Sequence, residues 1–172
     1  GLLATDTLHV FVNHWTSRYR GYLESEPYRL LASRALMNLT DSICMVNSSA
    51  NIVLMGDFND NPNNKSMQLI TNSSLCEFDN PKLLSSRSDV AGTLKYKGNW
   101  QNYDQFFVAN ALITGNNGLQ CSSSGHIFDA EFLLEVDLQH LGMKTKRTNI
   151  GYKYHGGTSD HLPIYIDIIS IQ

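Results

Sequence analysis

A chain of 172 residues, 42% hydrophobic and 17% charged, is long enough to bury roughly 70% of its unfolded surface in one domain. Its longest apolar runs, Ile52 to Met55 and Ile164 to Ile169, fall far short of the ~20 residues that a membrane-spanning helix needs. The net charge of −3, with lysines and arginines scattered along the chain, speaks against the basic stripe of a dedicated nucleic-acid binder.

Leu8, Val10 and Val12 alternate with His9, Phe11 and Asn13, a period-two pattern that predicts a strand ending at Asn13-His14. After a polar loop, Ser25-Glu26-Pro27 gives a helix-start signal, with Ser25 as N-cap and Pro27 in the first turn. Leu31, Ala35, Leu39, Ile43 and Val46 predict a helix of about five turns that lays this stripe on a sheet. Ile52-Val53-Leu54-Met55 reads as a buried strand, running into Gly56-Asp57-Phe58-Asn59-Asp60. A short helix is expected around Lys65 to Ile70, a short strand at Thr93 to Tyr96, and another strand from Tyr103 to Ala109. A Ser/Gly/Asn-rich stretch from Gly115 to Gly125 precedes an apolar segment at Ile127 to Leu134. The loop Gly151 to Thr158 delivers Ser159-Asp160-His161, and Leu162 to Ile169 is expected to form the last strand. With no repeat or linker, residues 1–172 read as a single domain. Cys44, Cys76 and Cys121 are odd in number and lack C-x-x-C spacing; they read as buried free thiols rather than a disulfide plus one leftover.

Four polar clusters therefore fall at strand ends: Asn13-His14, Asp57 with Asn59, Asp104, and Asp160-His161. Asp57 and Asn59, two apart, share a face if the strand persists. A carboxylate can then orient water while an amide donates to a phosphoryl oxygen. The same residues equally suit an Asx turn. Asp104, ahead of Phe106-Phe107-Val108, needs a partner if buried. His161 is a suitable one, because a carboxylate fixes an imidazole's tautomer and raises its basicity. His14, followed by Arg18 and Arg20, makes either a phosphate-facing corner or an ordinary solvated turn.

In order and together, these stretches resemble the endonuclease/exonuclease/phosphatase superfamily. They are Val10 to Arg18, Ile52 to Asp60, Tyr103 to Val108, and Thr158-Ser159-Asp160-His161-Leu162-Pro163. The second and fourth are the most specific, and the texture of the chain is similar to bacterial members of the Bacteroides type. The resemblance implies the deoxyribonuclease I-like four-layer α/β sandwich, of which this chain would be the C-terminal half, a mixed or antiparallel sheet flanked by helices. It implies hydrolysis of a phosphate ester by in-line attack of water, with Mg²⁺ or Mn²⁺ as cofactor. His14 would contact the scissile phosphate and Asp57 would orient the water. Asn59 and Arg18 would bind phosphoryl oxygens, Asp104 would pair with His161 as base, and Asp160 would hold the metal.

The family's upstream metal-binding Glu has no counterpart here, since Glu24 and Glu26 follow His14. The chain alone is therefore expected to be inactive or nearly so, with a phosphate-ester-binding or assembly module carrying a relic site as the alternative. The sheet face left uncovered would drive association into a homo-oligomer. Nucleic acid is the less favoured ligand, and the resemblance suits a soluble bacterial protein. The loops Lys95 to Gln101 and Gly151 to Thr158 would flank the site and select the substrate; their Trp100, Tyr96, Tyr152 and Tyr154 either stack on a base or ring or pack together, packing being the favoured reading.

Overall fold

The computed structural model describes residues 7–73, 75–116 and 118–171. The alternation at the start forms strand β1 (Leu8–His14), and β2 (Asn51–Asp57) lies parallel beside it. Parallel neighbours need a crossover, which helix α1 (Tyr22–Val46) provides. After α2 (Lys65–Thr71), β3 (Phe78–Asp79), β4 (Lys82–Leu84) and the pair β5 (Leu94–Tyr96) and β6 (Asn99–Gln101) comes β7 (Asp104–Ala109). The resulting mixed sheet has the order β1-β2-β7-β3, with β7 antiparallel to β2 and to β3. Both faces of β2 are covered, which is why it reads as an unbroken apolar run. Ile52 and Leu54 pack with Phe107, Leu36, Met67 and Ile70 on the helix side. Val53 packs with Phe106, Val108, Leu112 and Leu119 on the other.

The second layer is built from shorter pieces: α3 (Asn110–Thr114), β8 (Leu119–Cys121), β9 (Ser124–Ile127), β10 (Leu134–Val136), β11 (Met143–Thr145), β12 (Asn149–Ile150), β13 (Lys153–Tyr154), β14 (Ile164–Tyr165) and β15 (Ile168–Ser170). The last strand, expected unbroken from Leu162 to Ile169, is divided. β14 pairs with β9 and β15 with β8. The division falls where Ser122 donates its N–H and its hydroxyl to the Asp167 carbonyl, at 3.0 and 3.1 Å.

Helix α1 departs from its sequence reading in start, length and facing. It begins at Tyr22 after Gly21 and runs 25 residues, about seven turns, so Ser25 and Pro27 lie inside it. Leu31, Ala35, Leu39 and Val46 face outward, and of the expected stripe Ile43 alone packs against the core. The buried face is Ser25, Arg29, Ser33, Leu36, Met37, Thr40 and Cys44. Polar groups turn inward because they have partners there: Arg29 lies 2.8 Å from Asp60, and Ser33 donates to the Ser66 carbonyl at 2.7 Å. The cysteine reading is also corrected. Cys44 and Cys76 form a disulfide between the end of α1 and the segment before β3, with Cα atoms 5.9 Å apart, and Cys121 remains a buried free thiol. Spacing in sequence carries no information on that proximity. Burial, and secondarily Asp167, pushes the Cys121 thiol up to about 11.

Candidate active site

Sheet register sets the first three site residues in a row. His14 is the register partner of Asp57 across β1 and β2, and Asp57 that of Asp104 across β2 and β7. Paired residues point to the same face of a sheet, so the ends of three adjacent strands present imidazole, carboxylate and carboxylate side by side. His14 Nε2 stands 3.7 Å from Asp57 Oδ2, with the imidazole 82% exposed and the carboxylate 19%. Gly56 makes this register possible. Its φ is 127°, and a Cβ there would lie 2.1 Å from the Asn13 carbonyl oxygen. Beyond the strand, the Trp15 N–H donates to the Asp57 carbonyl at 2.9 Å. The indole stacks edge-on against Phe58, and Phe58 against Phe107, at 4.9 and 5.4 Å. The Asp57 main chain is thereby anchored in core.

The strand does not persist to Asn59, which adopts a left-handed φ of 52° that Asn tolerates better than most residues. Asn59 donates its backbone N–H to Asp57 Oδ1 at 2.8 Å and its amide Nδ2 to Asp57 Oδ2 and the Trp15 carbonyl, each at 3.0 Å. The Asx turn and the site are thus one structure: Asn59 holds the Asp57 carboxylate by both oxygens.

Below the turn lies a feature the sequence reading missed. Asp60, 1% exposed, is paired with Arg18, with Arg29 and with the Ser66 hydroxyl. Its carbonyl accepts from Gln105 Nε2 at 2.7 Å. Arg18 donates Nε to the Asn59 carbonyl at 2.8 Å and Nη2 to Asn64 at 2.7 Å, with its guanidinium 4.7 and 4.8 Å from the Tyr22 and Tyr103 ring centres. Arg18 borders the cleft, but these contacts make it a brace for the turn. The signals for this node are the polar positions Ser25, Arg29 and Ser33, spaced four apart in α1.

From the opposite side, the segment before β14 brings His161 onto Asp104, Nδ1 to Oδ2 at 2.7 Å. Burial alone would lower the imidazole's pKa. The Asp104 hydrogen bond, with the charges of Asp104, Asp57 and Asp160, outweighs it and holds the value above the ordinary 6.5. The Asp57 carboxyl is raised, chiefly by burial, against the lowering effects of the Asn59 N–H and of His161. Asp160 is half exposed, with Arg147 Nη1 at 3.9 Å; Arg147 had not been singled out, although it ends the basic run Lys144-Thr145-Lys146-Arg147.

All seven residues expected from the sequence, His14, Arg18, Asp57, Asn59, Asp104, Asp160 and His161, line one cleft of about 1040 Å³. Tyr96 and Gln101 of the β5–β6 pair border it, as does Arg147. The expected packing of four aromatics does not form. Tyr152 and Tyr154 project into solvent, while Trp100 donates to the Asp89 carbonyl at 3.1 Å. Ligand atoms of Asp57, Asp104 and His161 lie within 4.8 Å of one another. Two carboxylates match what Mg²⁺ takes from a protein, since that ion keeps several of its waters. The donor chemistry therefore fits a hard divalent cation; Asp160, the residue expected to hold it, is not one of these three and lines the same cleft.

The description "Endonuclease/Exonuclease/phosphatase family" belongs to a family model that matches residues 1–170. No curated protein matches the chain. Among solved structures, beta toxin from Staphylococcus aureus aligns with a TM-score of 0.56 at 12% identity, over 93% of this chain and 52% of that one. A functionally unknown conserved protein from Enterococcus faecalis aligns with a TM-score of 0.54 at 15% identity, over 94% and 50%. An endonuclease/exonuclease/phosphatase from Bacteroides vulgatus gives 0.51 at 15% identity, over 86% and 46%. The chain spans about half the length of each of these structures, and its layered sheets and helices form a partial α/β sandwich of their kind.

Proposed function

The chain belongs to the endonuclease/exonuclease/phosphatase family, and on that premise we propose that its cleft hydrolyses a phosphate ester by in-line attack of water. The observation that carries this reading is the His14–Asp57–Asp104 row, with His161 hydrogen-bonded to Asp104 at 2.7 Å. Asp57, fixed by Asn59, orients the water. The Asp104 carboxylate accepts from His161 Nδ1, which leaves Nε2 as the basic atom able to take the water's proton. His14, largely exposed at the rim, is free to approach the leaving oxygen. Asn59 reaches a phosphoryl oxygen only by sharing an amide hydrogen that now serves Asp57 or Trp15.

Mg²⁺ or Mn²⁺, held by Asp57 and Asp104 with Asp160 close by, would polarise the phosphoryl group and acidify bound water. Phosphate esters of small molecules suit the cleft better than long nucleic acids, because the chain's cations are not gathered into a stripe. The uncovered side of β1 suits association into a homo-oligomer.

Hydrolysis of bis-p-nitrophenyl phosphate with Mn²⁺, at enzyme in excess, tests the reading. Slow turnover is expected, lost on chelation and reduced at least ~100-fold in Asp57→Ala and His161→Ala. Turnover unchanged by these substitutions contradicts it.

A further inference from the structure

A phosphate ester entering this cleft meets three carboxylates, Asp57, Asp104 and Asp160, so positive charge with free hydrogen-bond donors is required to receive it. Among the described residues lining the cleft, the lysines and arginines are Arg18 and Arg147. Arg18 is already engaged: its Nε and Nη2 are bonded to Asn59, Asp60 and Asn64, and its guanidinium lies against the Tyr22 and Tyr103 rings. Arg147 is not. Among the described residues its guanidinium has one ion-pair approach, 3.9 Å to Asp160, too long for a hydrogen bond, and its side chain is 38% exposed.

The main chain also holds Arg147 in place. The Gly157 N–H donates to the Arg147 carbonyl and the Thr158 N–H to that of Lys146, each at 3.1 Å, and Thr148 Oγ1 donates to the Thr158 carbonyl at 2.7 Å. A Cβ at Gly157 would come within 1.9 Å of the Lys146 carbonyl oxygen, so this close strap requires glycine there. The strap closes the β12–β13 hairpin two residues before Asp160 and so fixes the main chain that presents Arg147 to the cleft.

We infer that Arg147 is the phosphate-binding residue of this site. Its planar fork grips two non-bridging phosphoryl oxygens, while the Asp160 carboxylate keeps it aimed inward when the cleft is empty. This rests on the phosphoesterase reading but assigns a residue outside its expected set, and gives the strap a task in substrate capture. The ligand class is a phosphate with at least two unsubstituted oxygens facing Arg147, in a monoester or diester.

Calorimetric titration of the full chain with inorganic phosphate in Mg²⁺ buffer tests it. Arg147→Ala is expected to weaken binding about 10- to 100-fold, Arg147→Lys to weaken it less, and added guanidinium ion to restore part of the loss in Arg147→Ala alone. Gly157→Ala, which displaces the strap and leaves the guanidinium intact, is expected to weaken it as well. If the wild type binds phosphate or turns over ester and Arg147→Ala does so equally, the assignment to Arg147 falls and the phosphoesterase reading stands. If the wild type neither binds phosphate nor hydrolyses ester, that reading falls and the assignment with it.

Discussion

The Asp104–His161 pair sets the pH behaviour. Burial lowers the imidazole's pKa and the Asp104 hydrogen bond and charge raise it past 6.5, so the neutral, basic form accumulates only above that value. kcat/KM is therefore expected to rise with pH along a limb centred above 6.5. Asp104→Asn removes the largest raising contributions and leaves burial opposed only by the charges of Asp57 and Asp160, so the limb should move to lower pH than in the wild type, with a loss of about 10² to 10⁴ in rate; a pH–rate profile of both proteins checks this. Stability follows the same sign. The pair stabilises the fold fully below the unfolded value near 6.5, and that contribution fades as pH rises through the higher folded value. Asp60 makes a different demand: it is buried with Arg29, whose side chain is 0% exposed. Asp60→Ala leaves a buried arginine without its counter-ion and is expected to cost about 3–5 kcal/mol in denaturant unfolding. His14, Asp57, Asn59, Asp104, Asp160 and His161 were legible in the sequence because each sits in a short run of polar residues where an apolar strand stops or starts. Asp60 and Arg147 were not. Asp60 looks like one more residue of an Asx-rich turn, and Arg147 reaches the cleft only through a strap whose two sides lie ten residues apart.

Strand β2 was readable from its core, Ile52 to Met55, because burial on both faces leaves no polar interruption there; the strand itself runs on through Gly56 to Asp57. That glycine carries a prediction of its own. Gly56→Ala combines φ 127° with a 2.1 Å approach to Asn13, so it should cost about 1–3 kcal/mol and separate His14 from Asp57. Denaturation together with the loss of activity would show both effects. Helix α1 was legible as a helix but not in its orientation. Leu31, Ala35, Leu39 and Val46 form the more hydrophobic stripe, yet the partners for Arg29 and Ser33 come from Asp60 and Ser66, which no local pattern connects to the helix. Sequence periodicity shows that two faces exist; the tertiary ion pair decides which one turns inward. The Cys44–Cys76 disulfide closes a separation of 32 residues, worth about 3–4 kcal/mol in chain entropy. Reduction, or Cys44→Ser with Cys76→Ser, is expected to lower the unfolding free energy by that order, measured in denaturant with and without reductant.

At the scale of the molecule, the sheet is finished on one side and open on the other. Val10 and Val12 are register partners of Val53 and Met55, so they belong to the face that the second layer covers, yet they are 50% and 78% exposed. Among the described residues β1 is also an edge strand, a position from which main-chain groups can pair with another chain. The chain is expected to self-associate through this side, and Val12→Lys to shift sedimentation toward monomer; a wild type that sediments as a monomer would contradict the proposal. The overall architecture was legible through the resemblance, whereas the short strands of the second layer were hidden: β8, β9, β14 and β15 take their pairing from distant segments, and the hairpins β10–β11 and β12–β13 are too short to show a period. If residues from β1, β2, β7 and the segment before β14 form one metal-assisted phosphoesterase centre, as proposed, substoichiometric Mn²⁺ should broaden their imidazole NMR signals. His14 and His161 are expected to broaden first, and Asp57→Asn and Asp104→Asn to suppress the effect. Broadening centred on His140 and His155, beside Asp137 and Glu135, with His14 and His161 untouched, would contradict it.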